Sequence, residues 1–187
     1  GAEKLQGVKV KNKVIENARL EVTDITIETQ EAAEKLGRPV GRYITLTATD
    51  STFDMYSDSF RERAEVIAKS IGELCGGCER FLAVGLGNYA LTSDAVGPLT
   101  AEKIFATRHI KSLAKEIDTD DLGEVTVIQP GVLGNTGIES SEQVKAIAER
   151  VRPQAVIAVD ALACSELSNL GRTIQLCNTG ISPGSGV

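Results

Sequence analysis

Hydrophobic and polar positions divide the chain into two regimes. Over residues 1–50 the pattern has period two. Val8 and Val10 alternate with Lys9 and Lys11, Leu20, Val22 and Ile25 form a second series, and Ile44 and Leu46 a third. Alternation with β-branched residues predicts half-buried strands of an antiparallel region. A short helix is expected between them at Gln30–Leu36, with Thr29 as its N-cap and Gly37 as its stop. From residue 60 the period changes. Phe60, Ala64, Ile67, Ile71 and Leu74 recur at helical spacing, and Gly76–Gly77 ends the run. Arg80–Leu86 is a short apolar segment bounded by glycine, the pattern of a strand buried on both faces. A helix over Ala95–His109, a strand over Glu124–Gln129 and a helix containing Val144, Ile147, Ala148 and Val151 follow. That helix is expected to start near Ser140 or Ser141 and to stop at Pro153. Ala155–Val159 reads as another buried strand and Thr173–Cys177 as the last. The alternation predicts an α/β fold with helices on both faces of a largely parallel sheet, plus the antiparallel N-terminal region. The expectation is one domain over 1–187, with a β-rich part at 1–50 and an α/β part at 60–187.

Composition narrows the function classes. The chain has 187 residues, 42% hydrophobic and 25% charged, as soluble globular proteins do. No apolar run approaches the length that crosses a bilayer, and the first residues lack the apolar core of a secretory signal. A cytoplasmic protein without membrane contact is therefore expected. A net charge of −6 argues against a chain that coats nucleic acid. The one histidine, His109, argues against multi-histidine zinc chemistry, and neither a cofactor nor a metal is expected. Cys75, Cys78, Cys164 and Cys177 are expected as reduced thiols. Cys75-Gly-Gly-Cys78 has a spacing used for zinc or redox work, but a glycine turn closing a helix is the reading preferred.

In open α/β sheets, ligands bind beyond the carboxyl ends of the strands. Three such ends carry chemistry: the segment Gly85–Pro98 containing Asp94, the segment Gln129–Gly137, and Asp160 directly after Val159. Parallel strands place all three on one edge. Gly85-x-Gly87-x-x-Ala90 matches a dinucleotide fingerprint, but a carboxylate at Asp94 would repel a phosphate there. Gly180-x-Ser182-x-Gly184 matches a serine nucleophile elbow, but Pro183 lacks the N–H that an oxyanion needs. Asp94 and Asp160 remain. Desolvation after five apolar residues would favour a protonated Asp160, and a helix N-terminus an ionised Asp94, the arrangement that acid/base work on water requires. The same residues also fit a plain helix N-cap and a buried, hydrogen-bonded acid.

Four long motifs carry a resemblance. Val84–Pro98, Gly131–Glu139, Val159–Ala163 and Leu170–Gly186, together with Gly41-Arg-Tyr43, resemble the germination proteases of spore-forming bacteria, and the likeness extends over nearly the whole chain. It implies a three-layer α/β/α fold similar to hydrogenase-maturation peptidases. It also implies an endopeptidase of atypical aspartic type, whose two essential aspartates carry over to Asp94 and Asp160. The implied substrates are small acid-soluble spore proteins that coat DNA, degraded in the spore core at germination. The implied mature form is a homotetramer released from a zymogen by loss of a short propeptide. The chain opens close to the Gly7–Val10 strand and stops soon after Asn178–Ser182, so the propeptide and a C-terminal part of the family are expected to be missing. For the reaction, the glycine segments supply oxyanion donors at Gly85, Gly87 and Gly134, with Asn88 and Asn135 in support. The hydrogenase-maturation relatives use a metal site that includes a histidine. His109 lies about four helical turns beyond Asp94 and is expected to sit far from it. A metal-dependent peptidase built on the same aspartates and a non-catalytic peptide-binding module are the alternatives.

Overall fold

A computed structural model describes residues 5–113, 122–164 and 166–181. The chain forms two compact units, Gly1–Gly77 with Leu162–Gly180 and Cys78–Ala161 with Ile181–Val187. Each is built on its own sheet, one antiparallel and one parallel, so the α/β class holds.

The first unit is an antiparallel sheet in the order β1-β2-β3-β7, formed by β1 (Val8–Ile15), β2 (Leu20–Ile27), β3 (Gly41–Ala48) and β7 (Thr173–Cys177). The period-two pattern sends Leu20, Val22, Ile44 and Leu46 to one face, where they pack on Val66, Ile67 and Leu74 of α2 (Phe60–Cys75). Ile174 and Leu176 of β7 join the same cluster. On the other face, Ile27 packs with Ala32 and Ala33 of α1 (Gln30–Leu36). That helix begins and ends as its sequence signals require. Thr29 accepts the Ala32 N–H, and Gly37 adopts the left-handed conformation that closes the last turn. Gly76 closes α2 in the same way, so Cys75 is the last helical residue and Cys78 follows the glycine turn.

The second unit is a parallel sheet in the order β5-β4-β6, made of β4 (Arg80–Gly85), β5 (Glu124–Ile128) and β6 (Ala155–Val159). Alternate residues of β4 face opposite ways. Leu82 and Val84, with Leu86 beyond the strand, pack on Val144 and Ala148 of α6 (Ser140–Val151). Gly85 points the other way, against Gly97 and Ala101 of α3 (Val96–Lys103). Helix, sheet and helix make three layers within this unit.

Three expectations are corrected. The helix over Ala95–His109 is two helices, α3 and α4 (Arg108–Leu113). The break follows from Thr107, which leaves the helical path to cap β5. Its N–H donates to the Val125 carbonyl, while its hydroxyl donates to the Gly123 carbonyl and accepts the Val125 N–H. Phe105, in the break, is 70% exposed. Secondly, β6 is covered on one face only: its residues alternate between half-buried and exposed, with Val156 46% exposed. Thirdly, Thr173–Cys177 leaves the parallel series and pairs antiparallel with β3. Its T-I-Q-L-C alternation is the half-buried pattern, unlike the continuous F-L-A-V of β4. A final helix, α5 (Leu133–Thr136), is one turn between β5 and α6.

Candidate functional site

The site is set by how β4 and β6 end. The Leu86 N–H donates to the Val159 carbonyl at 2.9 Å, carrying the pairing one residue past the end of β4. Gly97, in the first turn of α3, lies directly against the carbonyls of Leu86 and Val159, with no space for a side chain. Only glycine lets the helix come this close. The start of α3 is thereby seated on the junction of the two strand ends. Asp94 lies three residues earlier, in a single 3-10 turn at Thr92–Asp94. Asp160 is the residue after Val159. The structure thus brings both aspartates to the carboxyl edge of one sheet, and both are half-buried.

The backbone holds each carboxylate by one oxygen. Asp94 Oδ2 accepts the Asn88 N–H at 2.7 Å, and the Asp94 N–H donates to the Leu91 carbonyl at 2.8 Å. Gly87, at φ +112°, turns the chain so that the Asn88 N–H points at the carboxylate; a Cβ at 87 would strike Asp94 itself. The Asn88 side chain folds onto the Ala90 N–H at 3.0 Å, fixing the loop. Asp160 Oδ1 accepts the Ala161 N–H at 2.9 Å. Among the described residues, Asp94 Oδ1 and Asp160 Oδ2 accept no hydrogen bond from the protein. Each carboxylate thus has one oxygen fixed by a main-chain N–H, and the other has no protein partner among the described residues.

The glycine segments divide. The N–H of Leu86 goes to Val159, that of Asn88 to Asp94 and that of Asn135 to Val132. Gly85 is the last residue of β4 and packs on α3. Gly134 and Asn135 lie in the single turn of α5. The N–H groups of Gly87 and Gly134 have no partner among the described residues. The Asn88 N–H is committed to the Asp94 carboxylate, whose negative charge sits where the Gly85–Ala90 loop would otherwise receive a pyrophosphate. Ser182 of the Gly-x-Ser-x-Gly match lies outside the described residues. His109 sits on α4, a helix separate from α3. Among the described residues no three of His, Cys, Asp and Glu form a group that could share a metal ion, and no helix is long and apolar enough to cross a membrane. The residue that sequence reasoning passed over is Gly97. Its signal was a glycine just inside a helix start, before Pro98, where a small residue marks close backbone approach.

Comparison with known proteins adds a family. The model of the germination protease family matches residues 1–187. A germination protease of Clostridium perfringens is 40% identical over 186 residues, which is 98% of this chain and 56% of that protein. One from Clostridium tetani is 38% identical over 190 residues, covering 57% of that protein. One from Caldanaerobacter subterraneus is 42% identical over 170 residues, 90% of this chain and 52% of that protein. The chain therefore spans about half the length of the curated relatives it matches.

Proposed function

This chain belongs to the germination protease family, and we propose that it carries the peptide-cleaving core of an endopeptidase. A water held between the available oxygens of Asp94 and Asp160 loses its proton to one carboxylate as it attacks the scissile carbonyl. The other carboxyl, protonated, gives its proton to the departing amide nitrogen. The N–H groups of Gly87 and Gly134 are the donors available to a developing oxyanion. Asn88 acts through its backbone, holding Asp94 in place. The observation that carries this reading is the seating of α3 on Leu86 and Val159, which brings two half-buried carboxylates to one sheet edge.

The substrates proposed are small acid-soluble spore proteins, degraded at germination in the cytoplasm of the spore core. The mature full-length enzyme is proposed to be a homotetramer released from a zymogen. Support for these is the family alone.

The test is Asp160→Asn in the full-length protein. Cleavage of a small acid-soluble spore protein should fall by about 10²- to 10⁴-fold, with the circular dichroism and melting temperature unchanged. A folded variant that still cleaves sinks the pair. The same assay with a chelator addresses the metallopeptidase alternative: activity lost to the chelator and restored by a divalent cation would make the aspartates ligands rather than acid and base.

A further inference from the structure

The antiparallel sheet ends in two unlike edges. At one, β1 carries Lys9, Lys11 and Lys13, charges of the kind that discourage a strand from adding there. At the other, β7 reads Thr-Ile-Gln-Leu-Cys, with no charge and no proline. The register of β7 on β3 fixes which of its amides face outward. The Ala48 N–H donates to the Arg172 carbonyl, and the Asn178 N–H to the Arg42 carbonyl. These bonds flank the pairs Thr47–Thr173 and Tyr43–Cys177, making both of them, and Thr45–Gln175 between them, non-hydrogen-bonded pairs. The N–H and C=O groups of Thr173, Gln175 and Cys177 therefore point away from β3. None has a partner among the described residues.

Beside this edge lies a cavity of about 200 Å³. Leu162, Ala163 and Leu170 supply apolar wall, and Asn169, Thr173 and Gln175 supply uncharged polar groups. It is smaller than a cofactor site, which takes roughly 300 Å³ or more, and suits a single side chain. No lining residue is charged, so a charged side chain would find no counter-ion there.

The geometry points to a polypeptide-binding site: β7 takes an extended peptide as an added strand, with one uncharged side chain of that peptide in the cavity. Outward amides two residues apart supply the main-chain hydrogen bonds of strand addition, and a pocket beside them supplies the preference for one side chain. The inference deepens the endopeptidase reading and rests on it for the class of ligand, since hydrolysis requires a substrate backbone laid out in extended form.

The test reads binding rather than turnover. A fluorescein-labelled peptide of alternating threonine and valine is titrated by anisotropy into the Asp160→Asn protein, alone and combined with Gln175→Pro. Proline at 175 removes an N–H that β3 does not use, so the ladder is retained. The peptide should bind the parent. It should bind Gln175→Pro about tenfold more weakly or worse, and an analogue N-methylated at alternate residues should lose affinity likewise. Should Gln175→Pro not fold, Thr173→Lys, which puts a charge into the cavity, is expected to give the same loss. Equal binding by a folded variant, equal binding of the N-methylated analogue, or no binding to the parent would overturn the inference. So would a concentration-dependent dimer that Gln175→Pro dissolves, since a second copy would then be the occupant. Mass spectrometry of the titrated peptide keeps the two readings apart: cleavage by Asp160→Asn refutes the aspartate pair and leaves the β7 result standing.

Discussion

Arg63 shows what single residues contribute. It is 2% exposed, yet its guanidinium donates to the Ala18 and Thr52 carbonyls at 3.0 Å and to the Asp50 carboxylate, and it lies over the Phe53 ring. A buried arginine is tolerated because each of its three guanidinium nitrogens has an acceptor. Arg63→Met keeps much of the volume but strands two carbonyls. It should cost about 2–4 kcal/mol, measured by urea denaturation. The Asp50 carboxyl is held well below the ordinary carboxylate range, chiefly by the Arg19 guanidinium, with the Ser51 N–H and Arg63 assisting and desolvation opposing. Asp24 is lowered by its two hydrogen bonds from Arg42. The sign follows from linkage. A carboxylate with a depressed folded pKa adds stability above its unfolded pKa, about 3.9, and that stability is lost as pH falls toward the folded value. The melting temperature should therefore decline below about pH 4, and Arg19→Gln should make that decline shallower. A decline equally steep in the variant would assign the acid lability to other groups. At the candidate site, Asp94 and Asp160 stand out in the sequence because each follows a strand. Asn88 stands out there for its side chain, whereas the donor is its main-chain N–H, which, like that of Ala161, leaves no residue type to read.

At the scale of elements, local signals were reliable where a cap or a glycine stop decided the matter. Thr29 and Gly37 bound α1, and Gly76 ends α2, as read from the chain. They failed where a long-range bond won. Helical periodicity continues through Phe105, but Thr107 is worth more to the fold as the cap on β5 than as a helical residue. Thr107→Val keeps the shape and removes both side-chain bonds from a buried position, so a loss of about 1–2 kcal/mol in stability is expected on thermal or urea unfolding. Gly97 is the element-level counterpart at the site. Gly97→Ala should push the start of α3 off the Leu86 and Val159 carbonyls and carry Asp94 with it. We expect kcat on a spore-protein substrate to drop by about tenfold or more with KM little changed, together with a shifted pH–rate profile. An unaltered profile in a folded variant would mean that α3 does not set the spacing of the aspartates.

At the scale of the whole molecule, the class of fold was legible and the strand bookkeeping was not. Continuous apolar runs mark a parallel strand only when helices cover both its faces. β4 meets that condition and β6 does not, leaving Val156 and Ala158 exposed. The return of β7 to the N-terminal sheet joins residues more than a hundred positions apart, and its only local trace is the alternation of Thr173, Gln175 and Cys177 with Ile174 and Leu176. The motifs at 84–98 and 159–163 are legible as a candidate site because strand ends converge, whatever the order of the remaining strands. The central claim is that Asp94 and Asp160 work as one unit, and a double-mutant cycle on turnover tests it most directly. Full-length protein carrying Asp94→Asn, Asp160→Asn or both is assayed for kcat on a small acid-soluble spore protein. Each single change should lower kcat by about 10²- to 10⁴-fold, and the double variant should be no worse than the poorer single one. Losses that multiply in the double variant, or a single variant that turns over normally, would contradict the pair.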